Sequence, residues 1–310
     1  MITIHAPAKL NLSLAVLARR PDAFHEIESL MVPVSLHDTL TVRASPAPDI
    51  GFTVRFGGRL ARLEARALAR DVPADDSNLV VRAVRLLAHE AGEARGLEVE
   101  LEKQIPSGAG LGGGSSDAAA ALLAAARAWG IDWPRGRLAD VAARLGSDVP
   151  FFLVGGPAIA TGRGETLAPV AGMPPLFAVI ACPATGLSTA AVYARCVPAE
   201  EDRGSAGRLA ERLVAGDLGG AFERMHNALE APALALLPDV GRLLTAFRDA
   251  GATRPMLTGS GSACFALVPS WTAATRLAAR LETGGWPGVF PVTIPSAPAH
   301  PIGDEERRPT

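Results

Sequence analysis

Lysine is nearly absent from this chain. Of 30 basic residues only Lys9 and Lys103 are lysines, and arginine supplies the rest. The bias is compositional, since the chain is also rich in alanine, yet it marks two positions where arginine does not stand. Net charge is scarce as well. The balance of −2 at pH 7 excludes a general nucleic-acid binder, whose footprint is basic. The three cysteines, Cys182, Cys196 and Cys264, are odd in number and widely spaced. That excludes a disulfide framework and a zinc site and implies a reducing cytoplasm. No apolar run is long enough to cross a membrane. Leu10 to Ala18 follows a lysine as a signal peptide would, but it alternates cleanly and has no cleavage site. Tyrosine occurs once, at Tyr193.

A length of 310 residues suggests about two domains with substantial cores. Leu10, Leu12, Leu14 and Val16 repeat at period two, which predicts a strand with one buried face and puts Lys9 and Asn11 on the same side. Arg19 to His25 reads as a loop, followed by strand over Ile27 to Leu36 and Thr39 to Ala44. Asp75-Asp76-Ser77-Asn78 predicts a cap before a helix over Leu79 to His89. Leu97, Val99 and Leu101 alternate with glutamates in a strand that runs into Lys103. Ser115 to Trp129, dominated by alanine and leucine, is a strong helix. Gly155 to Pro175, rich in glycine and proline, is the best candidate for a junction between domains. It divides the chain into residues 1–158 and 159–295, with 296–310 read as a disordered tail. Strands mixed with helices indicate an α+β or α/β architecture, without internal repeats.

Between the Lys103 strand and the alanine-rich helix stands P-S-G-A-G-L-G-G-G-S-S. Such a loop ahead of a helix aims free N–H groups at one point, where the helix dipole adds positive potential, so phosphate is its natural occupant. It is no Walker A motif, because no lysine follows the glycines. Gly108, Gly110 and Gly113 satisfy G-x-G-x-x-G, but a dinucleotide fold needs an acidic residue about twenty positions later, where Trp133-Pro134 stands. Two further segments carry polar chemistry. In G-S-D-V-P-F-F, Asp148 reads either as a helix N-cap ahead of Pro150 or as a carboxylate that accepts a proton from a substrate hydroxyl. L-T-G-S-G-S-A-C-F-A-L over Leu257 to Leu267 predicts a β-hairpin whose bare turn can also approach an anion. Lys9 by itself reads as a solvated lysine at a strand edge.

Together these segments resemble the galactokinase, homoserine kinase, mevalonate kinase and phosphomevalonate kinase (GHMP) superfamily. A-P-A-K-L-N-L resembles its first motif, the glycine loop its second, and L-T-G-S-G-S-A-C-F-A-L its third. R-P-D-A-F-H-E-I-E-S-L, D-S-N-L-V-V-R-A and L-G-S-D-V-P-F-F resemble the branch that acts on diphosphocytidyl-methylerythritol, and the likeness spans residues 6 to about 294.

The resemblance implies a two-domain α+β fold with the active site in the cleft between domains. It also implies phosphorylation of the 2-hydroxyl of that small molecule with ATP and Mg²⁺, in non-mevalonate isoprenoid synthesis, by a monomer or weak homodimer. By residue, it implies Asp148 as general base and Lys9 as charge stabiliser. Pro106, Ser107, Gly108, Ala109, Gly110, Leu111, Gly112, Gly113, Gly114, Ser115 and Ser116 would form the triphosphate loop. Asn78 and Lys103 would lie near the adenine, and Asn11, Phe24, His25, Thr189 and Tyr193 would contact the acceptor. No metal ligand is assigned. Two departures stand out: Ala23-Phe24 replaces the usual Gly-Tyr, and M-H-N-A-L-E has alanine where an acid is common. Another GHMP kinase, acting on homoserine or mevalonate, lacks a reason for the cytosine-facing pair Phe24-His25. A silent nucleotide-binding protein lacks a reason for Lys9 and Asp148 beside an intact loop.

Overall fold

A computed structural model describes residues 1–62, 68 and 72–296; the tail expected over 296–310 lies outside these apart from its first residue. The first half opens with β1 (Ile2–Arg19) and β2 (His25–Ser45), followed by β3 (Ile50–Phe56), α1 (Leu79–Ala91) and β4 (Gly96–Lys103). Next come α2 (Gly113–Trp129), α3 (Arg135–Leu145), α4 (Val149–Val154), β5 (Ala158–Gly162) and β6 (Thr166–Pro169). These strands form one sheet in the order β3-β4-β2-β5-β6, with β1 paired to β2. The stretch read as a junction is therefore mostly a hairpin of this sheet, in which β5 pairs with both β2 and β6. Gly162 and Gly164 serve the hairpin turn, and Gly155 caps α4. The connection between sheets is the short run 170–175.

The second half begins at β7 (Leu176–Cys182) and passes through α5 (Thr189–Tyr193), α6 (Ser205–Val214), α7 (Leu218–Arg224), α8 (Glu230–Leu236) and α9 (Pro238–Asp249). It ends with β8 (Met256–Leu257), β9 (Cys264–Val268), α10 (Trp271–Thr283) and β10 (Gly288–Ile294). Its sheet runs β10-β7-β9-β8, antiparallel throughout. Cys182, Cys196 and Cys264 are free and buried.

The alternation in β1 is real, but both of its faces are covered. Ala8, Leu10 and Leu12 join a core with Ala178 and Ile180 of the second sheet. On the other side, Lys9, Asn11 and Ser13 are buried too. The strand shifts register against β2 between Asn11 and Ser13. Beyond the shift its backbone bonds to the second half: Leu14 N–H donates to the His226 carbonyl at 2.9 Å, and Ala228 and Ala199 N–H donate to Leu14 and Val16, each at 2.8 Å. Glu28 on β2 adds another tie, accepting the amides of Gly204 and Ala206 at 2.9 and 2.8 Å at the start of α6. Two otherwise orphaned donors of the helix are thereby satisfied.

The glycine loop rests on a buried ionic triad. Lys103, the last residue of β4, donates to Asp38 of β2 and, at 2.7 Å, to Asp117 in the first turns of α2. Asp38 also accepts the amides of Gln104 and Ile105 at 2.5 and 2.8 Å, which fixes the chain where it leaves the strand. One ammonium faces two carboxyl groups out of water. Burial, reinforced by the neighbouring Asp38 charge and opposed by Lys103, pushes the Asp117 carboxyl well above its usual range. Lys103 keeps its proton because its two carboxylate partners together outweigh the burial that opposes it. Asp117 Oδ1 is buried without a partner, whereas the Asp38 oxygens take three donors.

Replacing Asp38 by alanine is expected to cost about 3–5 kcal/mol in chemical denaturation, the range for removing one partner from a buried pair. Asp117→Asn mimics the protonated acid. A carboxyl raised on folding loses stability as pH climbs from its unfolded value through its folded one. Denaturation curves from acid to neutral pH are therefore expected to show that loss in the wild type and a flatter profile in Asp117→Asn.

Candidate active site

A cleft of about 1190 Å³ runs between the glycine loop and the β1–β2 turn. That exceeds the roughly 300–1,000 Å³ typical of a single-ligand pocket, so two ligands can share it. Its lining includes Lys9, Asn11, Phe24, His25, Asn78, Lys103, Asp148, Thr189, Tyr193 and every loop position from Pro106 to Ser115. Ser116 is the exception: it is fully buried in α2 and does not line the cleft.

The loop is held on both sides by backbone bonds. Lys9 N–H donates to the Leu111 carbonyl at 3.0 Å, and Ala263 N–H donates to the Ala109 carbonyl at 3.1 Å. Glycine is required where these neighbours come closest. A Cβ on Gly110 would stand 2.5 Å from the Thr258 carbonyl oxygen, and Gly110 has φ +76°. On Gly112, at φ +71°, it would meet Phe152 at 2.9 Å and the Lys9 stem at 3.0 Å. Gly112 caps a helix of 17 residues, so the positive end of α2 opens onto the loop.

Lys9 is no solvated edge lysine. Its ammonium donates to Asn11 Oδ1 at 2.6 Å and lies 3.8 Å from Asp148 Oδ2. Asn11 Nδ2 in turn donates to Ser29 Oγ at 2.7 Å, and Ser29 donates to the Ser13 carbonyl at 2.6 Å. This relay fixes which way the Asn11 amide faces. Burial lowers the Lys9 pKa from its ordinary value, against the opposing pull of Asp148. Asp148 stands at the start of α4, yet its side chain makes no capping bond, and about a third of it remains exposed. The reading of Asp148 as an N-cap falls away, and its carboxylate is left facing Lys9.

At the far end, Phe24 is about half exposed on the β1–β2 turn. The His25 and Tyr193 rings lie against each other, tilted by 35°, with centroids 5.2 Å apart. His25 Nε2 is buried with no protein partner, and burial favours its neutral form. The cleft therefore offers an exposed ring face at Phe24 with the His25 ring beside it. Thr189 bonds Ser260 across the cleft wall at 2.9 Å, so α5 and the glycine-serine turn meet there.

Two positions expected at the nucleotide serve the fold. The Lys103 ammonium is engaged by the aspartates, and the Asn78 amide caps α1 through Val80 N–H while donating to the Pro73 carbonyl. Both still line the cleft. The segment M-H-N-A-L-E also has a structural task. Asn227 Nδ2 donates to the Leu257 and Gly259 carbonyls at 3.0 and 2.9 Å, and Glu230 accepts Leu257 N–H at 2.9 Å. These bonds aim the predicted hairpin turn at Lys9. Ala228 contributes its backbone amide and a methyl packed on the core, so the bonds that hold the turn do not need an acid there. Sequence reading passed over Asp38, Asn227 and Arg163. The triplet Gly-Arg-Gly was the only local signal for the last of these.

Among the described residues, no group of three or more His, Cys, Asp or Glu is arranged to hold a metal ion. No helix among them is long and apolar enough to cross a membrane.

Two family models match the chain, the GHMP kinases N terminal domain over residues 78–156 and the GHMP kinases C terminal over residues 209–285. A 4-diphosphocytidyl-2-C-methyl-D-erythritol kinase of Nocardioides sp. is 41% identical over 301 residues, covering 96% of this chain and 98% of that protein. One from Rhodopirellula baltica is 42% identical over 297 residues, covering 89% and 90%. A crystal structure of 4-(cytidine 5'-diphospho)-2C-methyl-D-erythritol kinase superposes with TM-score 0.76 at 36% identity, over 96% of this chain and all of that one. A mevalonate kinase from L. major, at 16% identity and TM-score 0.69 over 96% and 97%, shares the fold. An ATP-dependent kinase chemistry and a mixed α and β two-sheet fold go with this kinship: the chain belongs to the 4-diphosphocytidyl-2-C-methyl-D-erythritol kinase family of GHMP kinases.

Proposed function

We propose that the chain transfers the terminal phosphoryl group of ATP to the 2-hydroxyl of 4-diphosphocytidyl-2-C-methyl-D-erythritol, on the methylerythritol phosphate route to isoprenoid precursors. The observation that carries this reading is the Lys9–Asp148 pair, 3.8 Å apart, in a cleft with the phosphate loop on one side and Phe24 and His25 on the other. Relatives that bear that name along their whole length support it.

Phosphoryl transfer is mainly a matter of positioning and charge stabilisation. The loop amides and the N-terminus of α2 hold the triphosphate. Asp148 takes the proton of the attacking hydroxyl, whose oxygen bonds to the terminal phosphorus as ADP departs. Lys9, a compact point charge rather than a guanidinium fork, stabilises the developing alkoxide. Mg²⁺, when bound, neutralises phosphate charge. The donor chemistry accommodates it: phosphate oxygens and water supply most ligands, and Ser115, which lines the cleft, offers a hydroxyl. The His25 ring nitrogen reads a cytosine edge while Phe24 gives the base a face to stack on. A tyrosine there would add only a phenol hydrogen bond. On this reading the first half, through Pro169, carries the nucleotide site and the catalytic pair, and the second completes the acceptor pocket through Thr189 and Tyr193.

Asp148→Asn is expected to lose about 10²–10⁴-fold or more in turnover, the worth of general-base assistance, with ATP binding retained in calorimetry. Wild-type kcat in that variant would remove Asp148 from the role. Lys9→Ala is expected to lower kcat by orders of magnitude; an effect confined to KM would make Lys9 a binding residue only. Phe24→Ala is expected to raise KM for the cytidyl substrate and leave KM for ATP in place, whereas equal losses for both would point to a general folding defect.

A further inference from the structure

Asn227 does not line the cleft, yet its side chain is committed to a turn that does, through Gly259 and Ser260. Both hydrogens of Nδ2 are used there, one on the Leu257 carbonyl at 3.0 Å and one on the Gly259 carbonyl at 2.9 Å. Its Oδ1 accepts Leu229 N–H at 2.9 Å, which fixes the way the amide faces. The backbone on either side is tied to the strand that carries Lys9. Leu14 and Asn227 form a parallel bridge, in which Leu14 N–H donates to the His226 carbonyl and Ala228 N–H donates to the Leu14 carbonyl. One residue therefore sets the height of the turn above β1.

That height matters at Gly259. A Cβ there would stand 2.9 Å from the Gly110 carbonyl oxygen, 3.1 Å from Lys9 Nζ and 3.4 Å from Asn11 Oδ1. Bare backbone of the turn thus covers the Lys9 ammonium. Beside it Thr258 is fully buried, and its Oγ1 accepts the Asn11 amide at 3.0 Å. Without the Asn227 amide, the Leu257 and Gly259 carbonyls would lose the donor they share. A buried carbonyl deprived of its donor draws in water or moves the chain. Either response lifts Gly259 away from Lys9 and wets the ammonium. Its field at a developing charge then weakens, because the effective dielectric around it rises.

We propose that Asn227 is a positioning residue for phosphoryl transfer, holding the Gly259 backbone over Lys9 so that the ammonium stays buried and aimed at the reacting oxygen. The inference rests on the role given to Lys9 in the previous section. It differs from a purely local role, in which Asn227 would only steady the entry to α8 through Leu229 N–H.

The test is a double-mutant cycle on kcat with wild type, Asn227→Ala, Lys9→Ala and the double variant of the full-length chain. Labelled ATP and 4-diphosphocytidyl-2-C-methyl-D-erythritol are saturating, and each rate is divided by the folded fraction read from circular dichroism. Asn227→Ala is expected to lower kcat by about tenfold or more, the size of losing two buried hydrogen bonds. In the Lys9→Ala background the same substitution is expected to cost about twofold at most, because residues that act as a unit are not additive. Asn227→Asp keeps the acceptor for Leu229 N–H and removes both donors, so it is expected to lose at least as much kcat as Asn227→Ala. The same fold-loss with and without Lys9, or wild-type kcat in Asn227→Asp, would assign Asn227 to local structure and overturn the proposal. Failure of every Asn227 variant to fold would overturn it as well. Wild-type kcat in Lys9→Ala would overturn the reading of Lys9 and this inference with it.

Discussion

Taking a lysine ammonium out of water costs several kcal/mol unless partners replace its hydration, and the cleft is arranged around that requirement at Lys9. The strand that carries it is covered on both faces, so the ammonium meets Asn11 and Asp148 rather than solvent. Asn11 is in turn oriented by Ser29, and its own amide N–H donates to Thr258 at 3.0 Å. A chain of satisfied polar groups therefore links the first motif to the third, and the glycine loop closes over the same lysine through Leu111. Each bond that makes the burial tolerable also sets a piece of the site in place.

The same solution recurs beneath the loop with a different outcome. Lys103 is as buried as Lys9, yet it has two carboxyl partners and no freedom left for a ligand. The two lysines in an arginine-rich chain thus have separate reasons to be compact. At Lys9 the aliphatic stem packs beside Gly112, and the ammonium reaches Asn11 and Asp148. At Lys103 a point charge is shared between two acids that approach from different elements. Composition pointed to both positions without distinguishing chemistry from architecture.

What could be read in the sequence was what depends on neighbours along the chain. The glycine loop, the capped helix at Asn78 and the hairpin at Leu257 to Leu267 are local constraints, and all three stand where they were expected. The two readings of Asp148 could not be separated locally, because the choice rests on whether its side chain turns back to cap α4. Asp38 escaped notice because its partners are 65 to 67 residues away. Asn227 sits in a segment whose importance had been judged by its missing acid, while its own amide does the holding. The glycine- and proline-rich stretch after Gly155 misled because the same residue types serve a tight hairpin turn and a flexible linker equally well.

The bonds from β1 to residues 199, 226 and 228, with the Glu28 cap on α6, have a consequence for traffic through the cleft. Hinged opening of the two halves would strip hydrogen bonds from Leu14, Val16 and Glu28 at once and expose the core shared by Leu10 and Ile180. The low-cost route is local. The Arg19–His25 turn and the Gly162–Gly164 turn are short and partly exposed, and the arginine of the second stands over the Phe24 ring of the first.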